Sequence, residues 1–328
     1  MRIVVLGASG FLGSAIVGRL STRHVALRAV ARRATATPAR PTAEIEVRRA
    51  DLTVPGDLAG VVADADAIVH LPLYDSGASW RVEEGDEAGL RVNVGIAENL
   101  VGLLREAGRE VPPVLLFAGS TSQVGLPRTG RIDGGEVDAP VTEYDRQKLA
   151  AERAFMTATA EGVVRAVSLR LPTLFGHSPM SANTDRGVVV TMIRRALAGE
   201  PLTVWGDGSV TRDLLHVGDA AEAFVAALDH AHALAGRHWL VGSGRSIGLT
   251  DLFTEIAAAV AAHTGRPPVP VVSVAPAGRA TEADFHCFDI DPSAFRRLTG
   301  WRPRAGLGEA LRRTVAALAE PAFTHSTT

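Results

Sequence analysis

Residues 7–13 read Gly-Ala-Ser-Gly-Phe-Leu-Gly and directly follow the apolar run Arg2–Leu6. That run has the length of a buried strand, and the apolar spacing over Phe11–Leu20 predicts a helix behind the glycines. Glycines at this spacing permit a tight turn and a close backbone approach, and a helix N-terminus favours an anion. Three glycines alone can form an ordinary turn, but their place after the first strand favours a pyrophosphate site. The residues expected to contact a dinucleotide there are Gly7, Ser9, Gly10, Phe11, Leu12 and Gly13.

Short apolar runs continue to alternate with longer helical patterns to about residue 175. The further predicted strands are Val25–Val30, Glu44–Val47, Ala67–Leu71, Val114–Ala118 and Val164–Leu171. Helical patterns lie between them, notably over Ala88–Glu106 and Thr142–Ala160. This alternation predicts an α/β fold with a Rossmann doubly wound parallel sheet. We expect a dinucleotide-binding domain over 1–175, a smaller C-terminal α/β substrate-binding domain over 176–320 with some segments returning to the first domain, and a flexible tail over 321–328.

The composition bounds the class of protein. With 328 residues, 46% of them hydrophobic, the chain can bury a sizeable core. A formal net charge of −2 gives no basic footprint for nucleic acid. No apolar stretch is long enough to span a bilayer, and the N-terminus lacks a signal-peptide pattern. With Cys287 as the single cysteine and ten histidines that lack metal-ligand spacing, we expect a cytoplasmic protein with no membrane, nucleic-acid or metal partner.

The end of the second predicted strand bears on the choice of cofactor. Dinucleotide sites specific for NAD usually carry an acidic residue there, on the ribose hydroxyls. This chain has Arg32 and Arg33 instead. A guanidinium suits a 2′-phosphate through charge-assisted hydrogen bonds, so the sequence predicts NADP(H), with a solvated basic loop as the alternative. Asp51 and Leu52 follow the third strand and are placed to meet the adenine, unless Asp51 is an ordinary helix cap.

A second group of candidate residues lies further along the chain. Tyr144 and Lys148 are four residues apart in a helical pattern, which places both on one face. A free phenol has a pKa of about 10, and we expect the ammonium to lower the pKa of Tyr144 and give a usable acid or base. Ser120 ends the fifth strand, where its hydroxyl can donate to a carbonyl oxygen that gains charge. Thr121, as a possible helper, and Ser122 are neighbours that could share or take this role. The alternatives are that Tyr144 and Lys148 are ordinary surface residues and that Ser120 is a polar residue at the end of a strand.

Taken together, these motifs resemble the extended short-chain dehydrogenase/reductases, the NAD-dependent epimerase/dehydratase family, over nearly the whole chain. The further matching stretches are Val69-His70-Leu71, Asn93-Val94-Gly95, Leu169 to Gly176, Gly206 to Asp219 and Thr299 to Pro303. No single stretch is decisive, but the set in this order is specific.

The resemblance assigns further site residues. It implies that the cofactor also contacts Leu71, Pro72, Asn93 and Leu171, besides Tyr144 and Lys148. It implies that Arg212 meets a nucleotide diphosphate, and that Ser120 and Thr121 meet the substrate. Asn183, in the loop after Gly176, is a further candidate for the sugar site, with plain loop chemistry as the alternative. Relatives commonly dimerise through the helices that match Ala88–Glu106 and Thr142–Ala160, so a homodimer is expected.

Departures from the family pattern narrow the reaction. The 4,6-dehydratases of the family carry Thr-Asp-Glu where this chain has Ser120, Thr121 and Ser122, so elimination lacks its acid and base. The stretch also resembles that of dTDP-4-keto-6-deoxyhexose 4-ketoreductases from antibiotic deoxysugar pathways. With the NADP(H) prediction, this favours NADPH-dependent reduction of the C4 ketone of a dTDP-linked 4-keto-6-deoxyhexose, with Tyr144 protonating the alkoxide. The alternatives are an NDP-sugar 4-epimerase, a reductase of a non-nucleotide carbonyl, and a non-catalytic NADP-sensing regulator.

Overall fold

The computed structural model describes residues 1–74, 82–127, 130–178, 180–181, 187–276 and 282–320. The strands within these ranges, β1 to β14 in chain order, are Arg2–Leu6, Ala26–Ala31, Glu44–Arg49, Ala67–His70, Val114–Ser120, Arg131–Ile132, Arg165–Leu171, Thr173–Phe175, Leu202–Trp205, Thr211–His216, Arg237–Leu240, Ser246–Gly248, Val271–Val274 and Asp289–Ile290. The α-helices, α1 to α12, are Phe11–Leu20, Pro55–Val62, Glu87–Leu90, Ile96–Ala107, Glu143–Ala160, Val188–Leu197, Val217–Asp229, Ala231–Leu234, Leu249–Thr264, Glu282–Phe285, Ser293–Thr299 and Leu307–Ala319.

A parallel sheet of seven strands forms the centre of the protein, in the order β11-β7-β5-β4-β1-β2-β3. The predicted Rossmann sheet is therefore confirmed. Chain order reverses beside β1, and ligands bind outside the carboxyl ends of the strands at such a point. Gly7 follows β1, Leu71 follows β4 and Ser120 ends β5, so these residues lie at the same edge of the sheet.

Helices cover both faces of this sheet. On one face α1 packs on α7, and the core there includes Ile16 and Phe224. On the other face α2, α4 and α5 enclose a second core that includes Leu58, Leu100 and Phe155. Each fully buried side chain of this size contributes roughly 1.5–3 kcal/mol, so burial on both faces fixes the strand edges that carry the site.

The predicted helix Ala88–Glu106 is divided in the structure. It consists of α3, a π-helical turn over Arg91–Gly95, and α4. Such a turn inserts a residue into the helical ladder and is frequent at functional sites. Here the turn carries Asn93, whose side chain is buried, so the register of the helix changes at a residue that the sequence analysis singles out.

The chain beyond β8 builds smaller sheets and a separate core. One sheet has the order β12-β10-β8 and another pairs β13 with β9. Helices α6, α9 and α12 pack on one another around Ile193, Phe253, Ile256 and Leu311. The strand β11 from this part of the chain joins the edge of the large sheet. In the described ranges, no helix has the length and apolarity needed to cross a membrane.

Candidate active site

A cavity of about 1150 Å³ lies along the carboxyl edge of the large sheet. Its wall contains the described residues predicted to contact the cofactor, with the exception of Asn93. Those wall residues are Gly7, Ser9, Gly10, Phe11, Leu12, Gly13, Arg32, Arg33, Asp51, Leu52, Leu71, Pro72, Tyr144, Lys148 and Leu171. Three of the residues predicted to meet substrate, Ser120, Thr121 and Arg212, line the same cavity. Residues far apart in sequence thus share one space that is large enough for a dinucleotide and a second ligand.

The glycine turn has the geometry of an anion cradle. Gly7 has a φ of +88°, a left-handed conformation that side chains disfavour. A Cβ atom on Gly13 would overlap the Gly7 carbonyl oxygen, so the helix can approach the turn this closely only with glycine there. The Gly10 amide donates to the same oxygen at 3.0 Å. The first residues of α1 line the cavity, and because the first amides of a helix lack partners within it, the backbone of this turn fits a pyrophosphate.

The far end of the dinucleotide region is basic and exposed. β2 ends at Ala31, and Arg32 and Arg33 follow it with exposed side chains on the cavity wall. Asp51 is held by a local turn, because its Oδ1 atom accepts from the Thr53 amide at 3.0 Å and from the Thr53 hydroxyl at 2.7 Å. These bonds, together with the charge of Arg32, lower the pKa of Asp51. Asp51 is thus an anion beside the arginines rather than the cap of α2, whose N-cap is Val54.

At the other end of the dinucleotide region, α5 presents Tyr144 and Lys148 to the cavity. The Lys148 Nζ atom donates to the Ala118 carbonyl oxygen on β5 at 2.9 Å and lies 5.1 Å from the centroid of the Phe117 ring. The same atom is 6.0 Å from the centroid of the Tyr144 ring. Burial lowers the pKa of Lys148 to about 8, so this side chain exchanges its proton far more readily than a surface lysine.

Burial raises the pKa of Tyr144 above its ordinary value and the neighbouring Asp145 raises it further, while the Ser120 side chain offsets part of the effect. The expectation that Lys148 lowers this pKa is therefore wrong for the protein alone. The physical reason is that desolvation dominates, while the Lys148 ammonium is directed at the Ala118 carbonyl oxygen. Tyr144 is consequently a proton-bearing phenol at neutral pH.

Ser122 and Asp145 extend this site, and the sequence analysis did not assign Asp145. The Ser122 Oγ atom is 2.7 Å from the Ser120 Oγ atom, and the Ser122 hydroxyl donates to Oδ1 of Asp145. The Thr142 hydroxyl donates to Oδ2 of Asp145 at 2.6 Å. Burial raises the pKa of Asp145, and the hydrogen bonds oppose that shift. The pattern Thr-x-x-Asp before a helix is a capping-box signal, and it would have indicated an ordered carboxylate one residue after Tyr144.

The remaining assigned polar residues differ in their surroundings. Asn93 lies behind the cavity wall, where its Oδ1 atom accepts from the Tyr74 amide at 2.8 Å and its Nδ2 atom donates to Gln147 at 2.9 Å. Asn93 thus supports the wall by joining the π-helical turn to α5, and its contact with the cofactor stays a prediction. The Thr121 hydroxyl donates to the Leu171 carbonyl oxygen at 3.3 Å, which directs it away from a substrate. Asn183 and the predicted tail over 321–328 lie outside the described residues.

Arg212 lines the cavity and also holds the chain that covers it. Its Nη1 atom donates to the carbonyl oxygens of Thr211 at 2.7 Å and His286 at 2.9 Å. Its Nη2 atom donates to the Asp284 carbonyl oxygen at 2.6 Å. Part of the guanidinium is therefore committed to holding residues 284–286 in place on the cavity wall. The sequence motif alone does not indicate this role.

The part of the cavity beyond Ser120 is apolar and aromatic. Trp205 and Phe285 have ring centroids 6.4 Å apart with an interplanar angle of 36°, and both line the cavity. Met192, Phe253 and Phe288 lie on the same wall. These residues come from different helices and strands, so no local pattern brings them together.

Comparisons with known proteins place this geometry in a family. The sequence profile of the NAD dependent epimerase/dehydratase family matches residues 3–242. The chain belongs to this family. The cavity accordingly takes a nicotinamide dinucleotide, and the glycine turn described above fits one. No group of three or more His, Cys, Asp or Glu that could hold a metal ion occurs in the part of the chain that the structure describes.

Individual members of the family match this chain over most of its length and most of their own. A UDP-glucose 4-epimerase of Mycolicibacterium smegmatis is 29% identical over 320 residues, which cover 96% of this chain and 97% of that protein. A dTDP-6-deoxy-L-talose 4-dehydrogenase (NAD(P)⁺) of Kitasatospora kifunensis is 27% identical, with coverage of 95% and 93%. The crystal structure of a Thermus thermophilus UDP-glucose 4-epimerase in complex with NAD has a TM-score of 0.78 and 26% identity, with coverage of 96% and 98%.

Proposed function

We propose that this enzyme uses NADPH to reduce the C4 ketone of a nucleotide-linked 4-keto-6-deoxyhexose. The observation that carries the proposal is the pair Arg32 and Arg33 on the cavity wall, where an NAD-specific site has a carboxylate. Selectivity for a 2′-phosphate is useful to an enzyme that takes up fresh reductant in each turnover. It is of little use to one that retains a single cofactor molecule.

The residues at the other end of the dinucleotide region suit a reduction. A bound reduced nicotinamide would supply the hydride. Tyr144 donates its proton to the alkoxide that forms, and Ser120 lines the cavity beside Tyr144, where the ketone oxygen would lie. Because its pKa is raised, Tyr144 retains this proton until a stronger base, the alkoxide, is present. Lys148 keeps positive charge beside the site over part of the physiological pH range, since its pKa is about 8.

The other residues of the cavity wall support a class of substrate. Trp205 and Phe285 offer aromatic faces to a nucleobase, and Arg212 offers a guanidinium to a diphosphate. The Kitasatospora kifunensis relative acts on a dTDP-linked 6-deoxyhexose at C4, which favours a dTDP-linked sugar. With this assignment we propose a cytoplasmic homodimer in deoxysugar biosynthesis.

A 4-epimerase is the second candidate, and the similarity to UDP-glucose 4-epimerases favours it. Such an enzyme oxidises C4 and then reduces it with the same cofactor molecule, so Tyr144 would serve first as base and then as acid. A reductase of a non-nucleotide carbonyl would leave Trp205 and Phe285 without a base to contact. A non-catalytic regulator would have no use for the intact set of Ser120, Tyr144 and Lys148.

Two parallel assays separate the first two candidates. In one, the enzyme is mixed with NADPH and a dTDP-4-keto-6-deoxyhexose, and the absorbance of the reduced nicotinamide is followed. In the other, it is incubated with UDP-glucose and the sugar is examined by NMR. The proposal predicts stoichiometric loss of NADPH in the first assay and unchanged glucose in the second. A constant absorbance together with formation of the C4 epimer would establish the epimerase instead.

A further inference from the structure

A series of hydroxyl groups leads from Tyr144 towards the carboxylate of Asp145. Ser120 favours the ionised form of the neighbouring Tyr144, the Ser120 Oγ atom is 2.7 Å from the Ser122 Oγ atom, and the Ser122 hydroxyl donates to Oδ1 of Asp145. Asp145 is only 3% exposed but lies on the wall of the cavity. We propose that Asp145 is a positioning residue that controls the proton of Tyr144 through the hydroxyls of Ser122 and Ser120. This inference rests on the proposed function in taking Tyr144 as the acid of the reduction.

The donors along this series follow from the number of hydrogens. A serine hydroxyl carries a single hydrogen. When Asp145 is ionised, the hydrogen of Ser122 is committed to Oδ1, so Ser120 donates to Ser122 and in turn accepts from Tyr144. Each hydrogen then points towards Asp145, and the proton of Tyr144 is directed away from the substrate.

Protonation of Asp145 reverses the series. The carboxyl then donates to Ser122, Ser122 to Ser120, and Ser120 to the Tyr144 oxygen. The hydrogen of Tyr144 is now directed at the cavity and at a ketone oxygen held there. The ionisation state of Asp145 therefore selects between an arrangement that gives a proton to a ketone and one that removes a proton from an alcohol.

The same groups supply the proton that a reduction consumes. As hydride from the reduced nicotinamide bonds to the ketone carbon, the O–H bond of Tyr144 breaks and the alcohol O–H bond forms. The Tyr144 oxygen takes the proton of Ser120, Ser120 takes that of Ser122, and Ser122 takes that of Asp145. The resulting carboxylate regains a proton from solvent, so each turnover consumes one solvent proton and one hydride.

The ionisation of Asp145 depends on the groups that surround it. Arg146 on the same helix favours the carboxylate, whereas burial disfavours it. The turn after β5 contributes the neutral Ser122, and the loop before α5 contributes the neutral Thr142. Lys148 directs its ammonium to the Ala118 carbonyl oxygen on β5.

The test compares Asp145→Asn, Ser122→Ala and the double variant in single-turnover hydride transfer between about pH 4.5 and 7, which lies below the pKa of Lys148 of about 8. Each single variant should slow transfer about tenfold to a hundredfold, and the double variant should be no slower than the slower single variant. The wild-type rate should fall as rising pH ionises Asp145, and this fall should be absent in Asp145→Asn. Asp291→Asn alters another aspartate that accepts from a backbone amide, that of Ser293 at 2.9 Å; this residue is not on the cavity wall, and the variant should retain the wild-type profile. Multiplicative losses in the double variant, or a pH dependence that persists in Asp145→Asn, would overturn the relay.

A second measurement needs no substrate, so it separates failure of the relay from failure of the proposed function. Tyr74 and Tyr144 are the two tyrosines of the chain, so in a Tyr74→Phe background the ultraviolet absorbance of tyrosinate reports Tyr144 alone. Asp145→Asn should lower the pKa of Tyr144, and the shift should be smaller when Ser122 is alanine. Equal shifts in both backgrounds would refute the coupling even if the enzyme reduces no keto sugar.

Discussion

The two ends of the dinucleotide region are built differently. At the Tyr144 end, Asp145 and Lys148 are buried, with Lys148 only 5% exposed, and Ser120 and Tyr144 are half-buried. At the Arg32 end, the side chains are exposed and follow directly from the end of β2. Under the proposed function, the Tyr144 end carries the chemistry, and its geometry cannot change without repacking β5 and α5. The exposed end is proposed to select the cofactor, and it can be altered with little effect on the fold.

The largest effect is expected at the buried end. Tyr144→Phe removes the proton donor and leaves the ring in place, so turnover should fall at least about 10³-fold. The affinity for NADPH, measured by fluorescence titration, should change by less than about threefold, because the ring still fills the wall. Retained turnover in this variant would remove Tyr144 from its assigned role.

The glycine turn between the two ends should be nearly as sensitive, but through folding. Gly13→Ala places a Cβ atom against the Gly7 carbonyl oxygen, and the free energy of unfolding should fall by about 3 kcal/mol, with loss of dinucleotide binding. Gly102→Ala in α4 is the matched control, since a Cβ there meets nothing within 4 Å. That variant should gain up to about 1 kcal/mol from helix propensity. Urea unfolding monitored by circular dichroism measures both changes, and equal stabilities would contradict the close packing of the turn.

Burial of Lys148 predicts a pH dependence of stability. Its pKa is about 8 in the folded protein and 10.5 as the reference value, so between these values the unfolded chain holds the proton more tightly. The burial cost should therefore be fully present below about pH 8 and lost as the pH rises to about 10.5, a gain of at most roughly 3 kcal/mol. Lys148→Met should lack this gain. A difference between wild type and variant that does not change with pH would show that Lys148 is not buried as a charge.

The smallest effect is expected at the exposed end. Arg32→Ala should weaken NADPH binding about tenfold and leave NADH binding nearly unchanged, because the lost group faces the 2′-phosphate. Arg48→Ala removes another exposed arginine, one that pairs with Glu46 and lies outside the cavity wall, and should affect neither cofactor. Isothermal titration with both cofactors tests the contrast. Equal losses of affinity for NADPH and NADH would show that Arg32 does not distinguish the two cofactors.

The sequence could predict those parts of the site that local spacing encodes. The glycine turn, the strand ends and the pair Tyr144 and Lys148 each depend on residues within one turn or one helix, and the parallel sheet then brings them to one edge. The hydrogen-bond series through Ser122 to Asp145 depends instead on how the turn after β5 meets the first turn of α5. That contact joins segments about twenty residues apart, and a capping signal at Thr142 is its only trace in the sequence.

The direction of the shift in the pKa of Tyr144 was beyond sequence reasoning for a related reason. Helical spacing places Lys148 near Tyr144, but burial is set by the whole wall, and the orientation of the ammonium is set by the Ala118 carbonyl oxygen on another element. The role of Asn93 likewise depends on the π-helical turn, which the periodicity of Ala88–Glu106 does not reveal. Long-range packing, rather than residue type, decided these cases.

The most direct test of the account follows the hydride itself. The enzyme is supplied with NADPH deuterated at the transferable position and with a dTDP-4-keto-6-deoxyhexose, and the product sugar is analysed by NMR and mass spectrometry. The account predicts one deuterium at C4 of the sugar for each NADPH consumed. A product epimerised at C4 without deuterium, with NADPH unconsumed, would contradict it.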